Sequence, residues 1–143
     1  ANCEALPEDI YHWSNGKAIV ATGSPFANVE HKGKRYRVGQ GNNVFIFPGA
    51  GLAAIVGNVP FLSNDMFTTS AYALADCVTA NDLAEGAVYP HIGDLQEVSI
   101  KVAEACLTEA VSHNPKLGIN VEDVPRIVEE NMWKPEYFPY KRV

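Results

Sequence analysis

Only one segment of this chain, Lys17-Ala18-Ile19-Val20-Ala21-Thr22, reads firmly as a β-strand. It is short and mostly apolar, the pattern of a strand buried on both faces as in parallel sheets. The segments around it are patterned for helix. One helix is expected from Pro7, whose missing N–H is harmless in a first turn, through the acidic Glu8 and Asp9 to the stop signal Asn15-Gly16. Ser63 suits the N-cap of a second helix, from Asn64 to about Val78. Asp94 with Glu97 resembles a capping box opening a third helix to about His113, on which Leu95, Val98, Val102, Cys106 and Ala110 form one apolar stripe. Asn114-Pro115 and Gly118 end it, and a last amphipathic helix runs from about Glu122 to Met132 with Pro125 in its first turn. Residues 27–41 read as a loop or ribbon in which Tyr36 and Val38 alternate with polar positions, permitting a short strand. One firm strand among four or five helices is too few for an α/β sheet standing alone. The pattern predicts one end of a larger α/β domain.

The chain has 143 residues, 47% of them hydrophobic and 20% charged. That is one domain's worth of chain with enough apolar surface for a packed core, which excludes a disordered or low-complexity polymer. A net charge of −6 repels phosphate backbones, so nucleic acid is not an expected partner. The basic run His31-Lys32-Gly33-Lys34-Arg35-Tyr36-Arg37 is too short to change that. The longest apolar window, Val44 to Val59, is interrupted by Pro48, Gly49, Gly51, Gly57 and Asn58, so no membrane span is expected. Ala1 to Glu8 lack the basic-then-apolar order of a leader. Cys3, Cys77 and Cys106 fit neither a disulfide framework nor a zinc site, and are expected as reduced, mostly buried thiols of a cytoplasmic protein.

Two glycine-bearing segments could carry chemistry. Val44-Phe45-Ile46-Phe47-Pro48-Gly49-Ala50-Gly51-Leu52-Ala53-Ala54 has the outline of a dinucleotide fingerprint, G-x-G-x-x-A after an apolar run. Pro48 at the turn, no second strand, and Asp65 inside a helix all favour a packed helix whose glycines admit close neighbours. Gly39-Gln40-Gly41-Asn42-Asn43 is more informative. Its glycines predict a sharp turn before a buried element, and its two adjacent carboxamides suit a carboxylate, a ribose hydroxyl or another carboxamide, or else an Asx-type structural turn. His12, His31, His91 and His113 show no metal-ligand spacing, Ser24 has no nucleophile motif around it, and Cys77 and Cys106 fall on apolar helix faces. The aromatic tail Trp133-Lys134-Pro135-Glu136-Tyr137-Phe138-Pro139-Tyr140 is expected to pack against another part of the molecule. There is neither a P-loop nor a carboxylate pair with an acid/base role.

These segments together resemble a known family. Trp13-Ser14-Asn15-Gly16-Lys17-Ala18-Ile19-Val20-Ala21-Thr22-Gly23-Ser24-Pro25-Phe26 resembles the W-[ST]-x-G-[KR]-A-x-x-A-[ST]-G-S-P-F segment of malic enzymes. Gly39-Gln40-Gly41-Asn42-Asn43 with the following Phe47-Pro48-Gly49, and Trp133 to Tyr137 as W-x-x-E-Y, are similar to the same family. The likeness runs from about Glu4 to Arg142 and is to the last quarter of such an enzyme.

The resemblance implies an α/β fold, the C-terminal part of a Rossmann-like NAD(P)-binding domain over residues 1–114. Residues 115–143 would form a C-terminal helix and aromatic tail docking on an N-terminal domain absent here. It implies a parent enzyme, a homo-oligomer, that oxidises L-malate with NAD or NADP and decarboxylates the product to pyruvate and CO₂. Mg²⁺ or Mn²⁺ would be bound by the missing upstream part, which would also hold the acid, the base and a further substrate asparagine in an S-N-P motif. No catalytic residue and no metal ligand is expected here. Asn42 resembles the asparagine that hydrogen-bonds malate, Asn43 its neighbour facing the nicotinamide, and Gly23 and Ser24 would lie against the cofactor at the carboxyl end of a parallel strand. The chain alone is expected to be inactive. Two alternatives stand beside this: a malolactic-type enzyme converting malate to lactate, and a non-catalytic α/β binding module.

Overall fold

The computed structural model describes residues 3–134, 137 and 139. In chain order, α1 (Pro7–Trp13), β1 (Ala21–Thr22), β2 (Val29–His31), β3 (Lys34–Tyr36) and β4 (Gly39–Gln40) make a strand-bearing region. A helical region follows: α2 (Phe47–Val56), α3 (Asn64–Asp76), α4 (Ala80–Ala84), α5 (Leu95–His113) and α6 (Val124–Asn131). Single 3-10 turns precede α2, α5 and α6, and another follows α5.

α1 begins at Pro7 with Glu8 and Asp9 in its first turn, where the helix dipole favours acidic groups. It is stopped by Asn15 and Gly16, both at positive φ (54° and 76°), and the Gly16 N–H donates to the Tyr11 carbonyl at 2.8 Å. A side chain at Gly16 is also barred by space, since a Cβ would stand 2.5 Å from the Tyr36 hydroxyl.

The apolar run at 17–22 is less of a strand than its composition predicts. Only Ala21–Thr22 pairs, in parallel with β4, with Ala21 opposite Gly39 and Thr22 opposite Gln40. The run is not buried on both faces either. Val20 joins Tyr11, Tyr36 and Val38 in a small core, whereas Ile19 is 73% exposed. Burying such a strand twice needs a covering layer on each side of the sheet, and among the described residues one side has none. The ribbon expected within 27–41 is a hairpin: β2 and β3 pair antiparallel, joined by Lys32 and Gly33 at φ 51° and 75°, the left-handed pair of a type I′ turn.

α5 is the axis of the helical region, 19 residues long. Four of the five expected stripe residues, Val98, Val102, Cys106 and Ala110, are buried and Leu95 is half-buried, while Ser99, Ala103, Leu107 and Val111 widen the stripe enough to seat α2, α3 and α6. Ala50 and Ala53 of α2, Met66 of α3, and Val124 and Val128 of α6 complete this core. The capping box expected at Asp94 is absent. Asp94 ends the preceding 3-10 turn at φ −93° and ψ 10°, not the extended backbone that aims a capping side chain, and it makes no cap bond. The capping box sits instead on α4. There the Asp82 N–H donates to Thr79 Oγ1 at 3.1 Å and the Thr79 N–H to Asp82 Oδ2 at 2.8 Å. Ser63 does cap α3, accepting from the Met66 N–H at 3.2 Å.

The G-x-G-x-x-A segment is α2, as the packed-helix reading expects, and its two glycines differ. A Cβ on Gly49 would lie 2.7 Å from the Ser99 carbonyl and 2.8 Å from Val102, so this glycine lets α2 cross α5 closely. Gly51 faces open space. After α6, Trp133 is 76% exposed. Tyr137 of the expected aromatic stripe is also fully exposed, and Pro135, Glu136, Phe138 and Tyr140 lie outside the described residues. Among the described residues, no helix is long and apolar enough to cross a membrane, and Cys3, Cys77 and Cys106 are free thiols, exposed, half-buried and buried in turn.

Candidate functional site

Because β1 and β4 are parallel, their carboxyl ends open on one edge, where open α/β sheets receive ligands. β1 runs on into Gly23 and Ser24, and β4 into Gly41, Asn42 and Asn43. The ladder extends one step, with the Gly41 N–H donating to the Thr22 carbonyl at 2.9 Å. Side chains then stitch the rim together: Gln40 Nε2 donates to the Gly23 carbonyl at 3.2 Å, and Thr22 Oγ1 to the Ser24 carbonyl at 2.7 Å. The structure therefore brings Gly23, Ser24, Asn42 and Asn43 to one edge, although about twenty residues separate the two pairs in the chain.

Asn42 is in extended backbone (φ −116°, ψ 133°), and its Oδ1 accepts from the Val44 N–H at 3.0 Å, capping the 3-10 turn Asn43–Phe45. That one bond orients the whole carboxamide. With Oδ1 committed to the backbone, the free end is Nδ2, a two-proton donor with no partner among the described residues. Asn43, the first residue of the turn, is exposed, and Phe45, its last, is fully buried and anchors it. Gly39 and Gly41 do not make the bend by left-handed backbone, as the sequence suggests, since neither has positive φ. The asparagine cap makes it.

A cavity of about 250 Å³ opens beside the rim, lined among others by Pro25, Arg37, Gln40, Phe45 and His91, and the two asparagines stand outside its lining. The Arg37 guanidinium is mostly buried and donates from Nη2 to Asp82 Oδ1 at 2.5 Å and to the Tyr89 carbonyl at 3.0 Å. Burial pushes the Asp82 carboxyl up, but hydrogen bonds from the Thr79 hydroxyl and N–H and the charge of Arg37 outweigh it and hold it below the usual carboxylate range. Arg37, in the link between β3 and β4, thereby ties the strand region to α4 and the residues after it.

The family described as "Malic enzyme, NAD binding domain" matches residues 1–111. The chain belongs to this malic enzyme family. Its relatives include the "NAD-dependent malic enzyme" of Psychrobacter cryohalolentis, 40% identical over 139 residues. The protein of that name from Acinetobacter baylyi is 40% identical over 140 residues, and that from Aeromonas salmonicida 40% over 139. The alignments take in 97–98% of this chain but 25% of each relative, so the chain spans about a quarter of their length. Membership accounts for the architecture: a helix-rich, partial Rossmann-like α/β fold with one small parallel sheet.

The described residues of this malic enzyme family member hold no seat for the divalent metal that the resemblance implies. Among the described residues no three His, Cys, Asp or Glu side chains converge. For a nicotinamide the donors do fit. An exposed carboxamide at Asn43, an exposed serine at position 24 and a bare Cα at Gly23, around which a Cβ would meet nothing within 4 Å, leave the rim open to a polar, planar ligand edge. Sequence patterns did not single out Gln40's side chain as the stitch across the rim, nor Arg37 and Tyr89 behind it. Gln40 lies inside the quoted motif, but no pattern marks the other two.

Proposed function

We propose that this chain is the carboxyl-terminal quarter of an NAD-dependent malic enzyme, which converts L-malate to pyruvate and CO₂ in the cytoplasm, and that its parallel-strand rim forms one wall of the substrate and cofactor site. What carries the reading is the Asn42 cap: the bond from the Val44 N–H turns the carboxamide so that its donor end is free at the carboxyl edge of the sheet. A two-proton donor there is matched to a malate carboxylate, and a hydrogen bond to a charged group contributes about 1.5–3 kcal/mol. Asn43 pairs with the nicotinamide carboxamide, and Gly23 and Ser24 border the cofactor where the backbone leaves room. When bound, NAD supplies the carbon that accepts the hydride from malate. The part of the polypeptide outside this chain supplies the Mg²⁺ or Mn²⁺ site, the acid and the base, and the apolar faces left exposed here, with the aromatic tail, dock against it.

In the full-length enzyme Asn42→Asp separates binding from folding. The aspartate keeps an oxygen for the Val44 cap but loses the donor and sets a negative charge against the substrate. The malate KM is expected to rise about 10- to 100-fold with the melting temperature little changed. A malate KM equal to wild type would sink the reading. Product analysis is expected to give pyruvate, with lactate pointing to the malolactic chemistry instead. The 143-residue chain alone is expected to form no NADH from malate.

A further inference from the structure

Tyr89 lies between α4 and α5, in a stretch that holds none of the groups assigned to the site. Its ring runs lengthwise along β4. A methyl built on Gly39 would meet Cδ2 at 3.6 Å, and one built on Gly41 would meet the hydroxyl at 3.5 Å and Cε2 at 3.6 Å. Residues two apart in a strand share a face, so one ring covers both glycines. The same ring stacks on Phe45, with centroids 6.1 Å apart and planes at 19°. Phe45 ends the turn that Asn42 caps. Tyr89 therefore lies against the chain on both sides of the two asparagines, on the strand before them and on the turn after them. It is itself held from behind, because its carbonyl accepts from Arg37 Nη2 at 3.0 Å and Arg37 is paired with Asp82.

We propose that Tyr89 is a positioning residue for malate: its ring clamps the strand-to-turn bend and thereby keeps the Asn42 donor at the rim. The proposal rests on the role given to Asn42 above. Gly39 and Gly41 have no side chains of their own with which to brace the strand, so an aromatic plate supplied by a distant segment takes that place. Without it the cap bond to Val44 competes with water, the bend gains freedom, and the amide no longer waits in the orientation the substrate needs. Loss of such pre-set geometry lowers binding without removing any group that touches substrate.

The test uses the full-length enzyme. Tyr89→Ala is expected to raise the malate KM about tenfold, and Tyr89→Phe, which keeps the ring and loses only the hydroxyl, to return it to within about twofold of wild type. Val128→Ala, in the core at α6 and away from the rim, lowers the melting temperature but leaves the malate KM of the folded molecules where it was. A residue that only stabilises the fold would behave like Val128. If Tyr89→Ala does not fold, Tyr89→Leu, which keeps apolar bulk without the flat ring, carries the same expectation. An unchanged malate KM in Tyr89→Ala or Tyr89→Leu, alongside a raised one in Asn42→Asp, overturns the positioning role alone. An unchanged KM in both kinds of variant overturns the role of Asn42 and this proposal with it.

Discussion

The helical region and the strand region of this chain solve the same problem, hiding apolar surface, with different success. α5 is surrounded by α2, α3 and α6, and the stripe from Val98 to Val111 is buried. β1 has a partner on one side, and Ile19, two residues before it, stands 73% exposed. A helix satisfies its own backbone hydrogen bonds and needs neighbours only for its apolar stripe. A strand needs neighbours for its backbone and for both faces, so it is the element most exposed by the lack of adjoining layers. The difference teaches where this chain is self-sufficient and where its surface is built to be covered. The proposed site lies in the second kind of region, at the carboxyl edge of β1 and β4.

The contrast can be tested by substitution in the 143-residue chain, with urea unfolding as the measure. Leu107→Ala, in the closed core, is expected to cost about 4 kcal/mol, within the usual range for such cavities. A loss below about 1 kcal/mol would mean that the helical region is not packed as described. Arg37→Ala breaks the tie between the two regions and leaves Asp82 Oδ1 without its partner, while Oδ2 keeps its bonds from Thr79. A loss of about 2–3 kcal/mol is expected, less than for a fully enclosed pair because both side chains keep about 15% exposure. Within α2 the two glycines should have opposite signs. Gly49→Ala collides with Ser99 and Val102 and costs about 1–3 kcal/mol, whereas Gly51→Ala meets nothing and gains up to about 1 kcal/mol of helix propensity. Equal effects at the two positions would deny the close crossing of α2 and α5.

The Arg37–Asp82 tie also has a pH dependence. The Asp82 carboxyl is held below its unfolded value, so its contribution is complete above about pH 4 and is lost as pH falls through the lower, folded value. Acid unfolding of Asp82→Asn should lack that component, and an identical acid limb in the two proteins would argue that the pair carries no linkage. The smallest expected effect is at the open sheet. Ile19→Ala should change the stability of this chain by less than about 0.5 kcal/mol. In the full-length enzyme a larger cost is expected under the proposal that the rest of the polypeptide docks over this face.

Much of the helical region was legible because its signals are local. The stop at Asn15-Gly16, the Ser63 cap and the α5 stripe each depend on residues within a turn or two of one another. The Asp94 signature failed because a 3-10 turn leads the chain into α5 and the needed backbone angle is missing. The apolar run at 17–22 forms less strand than its composition predicts because an apolar strand announces that it can be covered, not that a cover is at hand. At the site, the carboxamide pair was visible in the motif, but the direction in which Asn42 points was not. That depends on a single bond to Val44, made possible by a turn whose anchor, Phe45, is buried under α5 and Tyr89.

Residue order alone settles what is short-range here: which segments coil, where they stop, and which side chains at 39–43 can donate to a carboxylate. It cannot settle that Gly23 and Asn42 share an edge, that one glycine of α2 is a contact and the other a gap, or that Tyr89 braces the bend from a segment more than forty residues away. Those outcomes depend on which surfaces meet once the chain has closed. Close contact discriminates at the scale of a single methyl group, and no local pattern records which distant atom will be there.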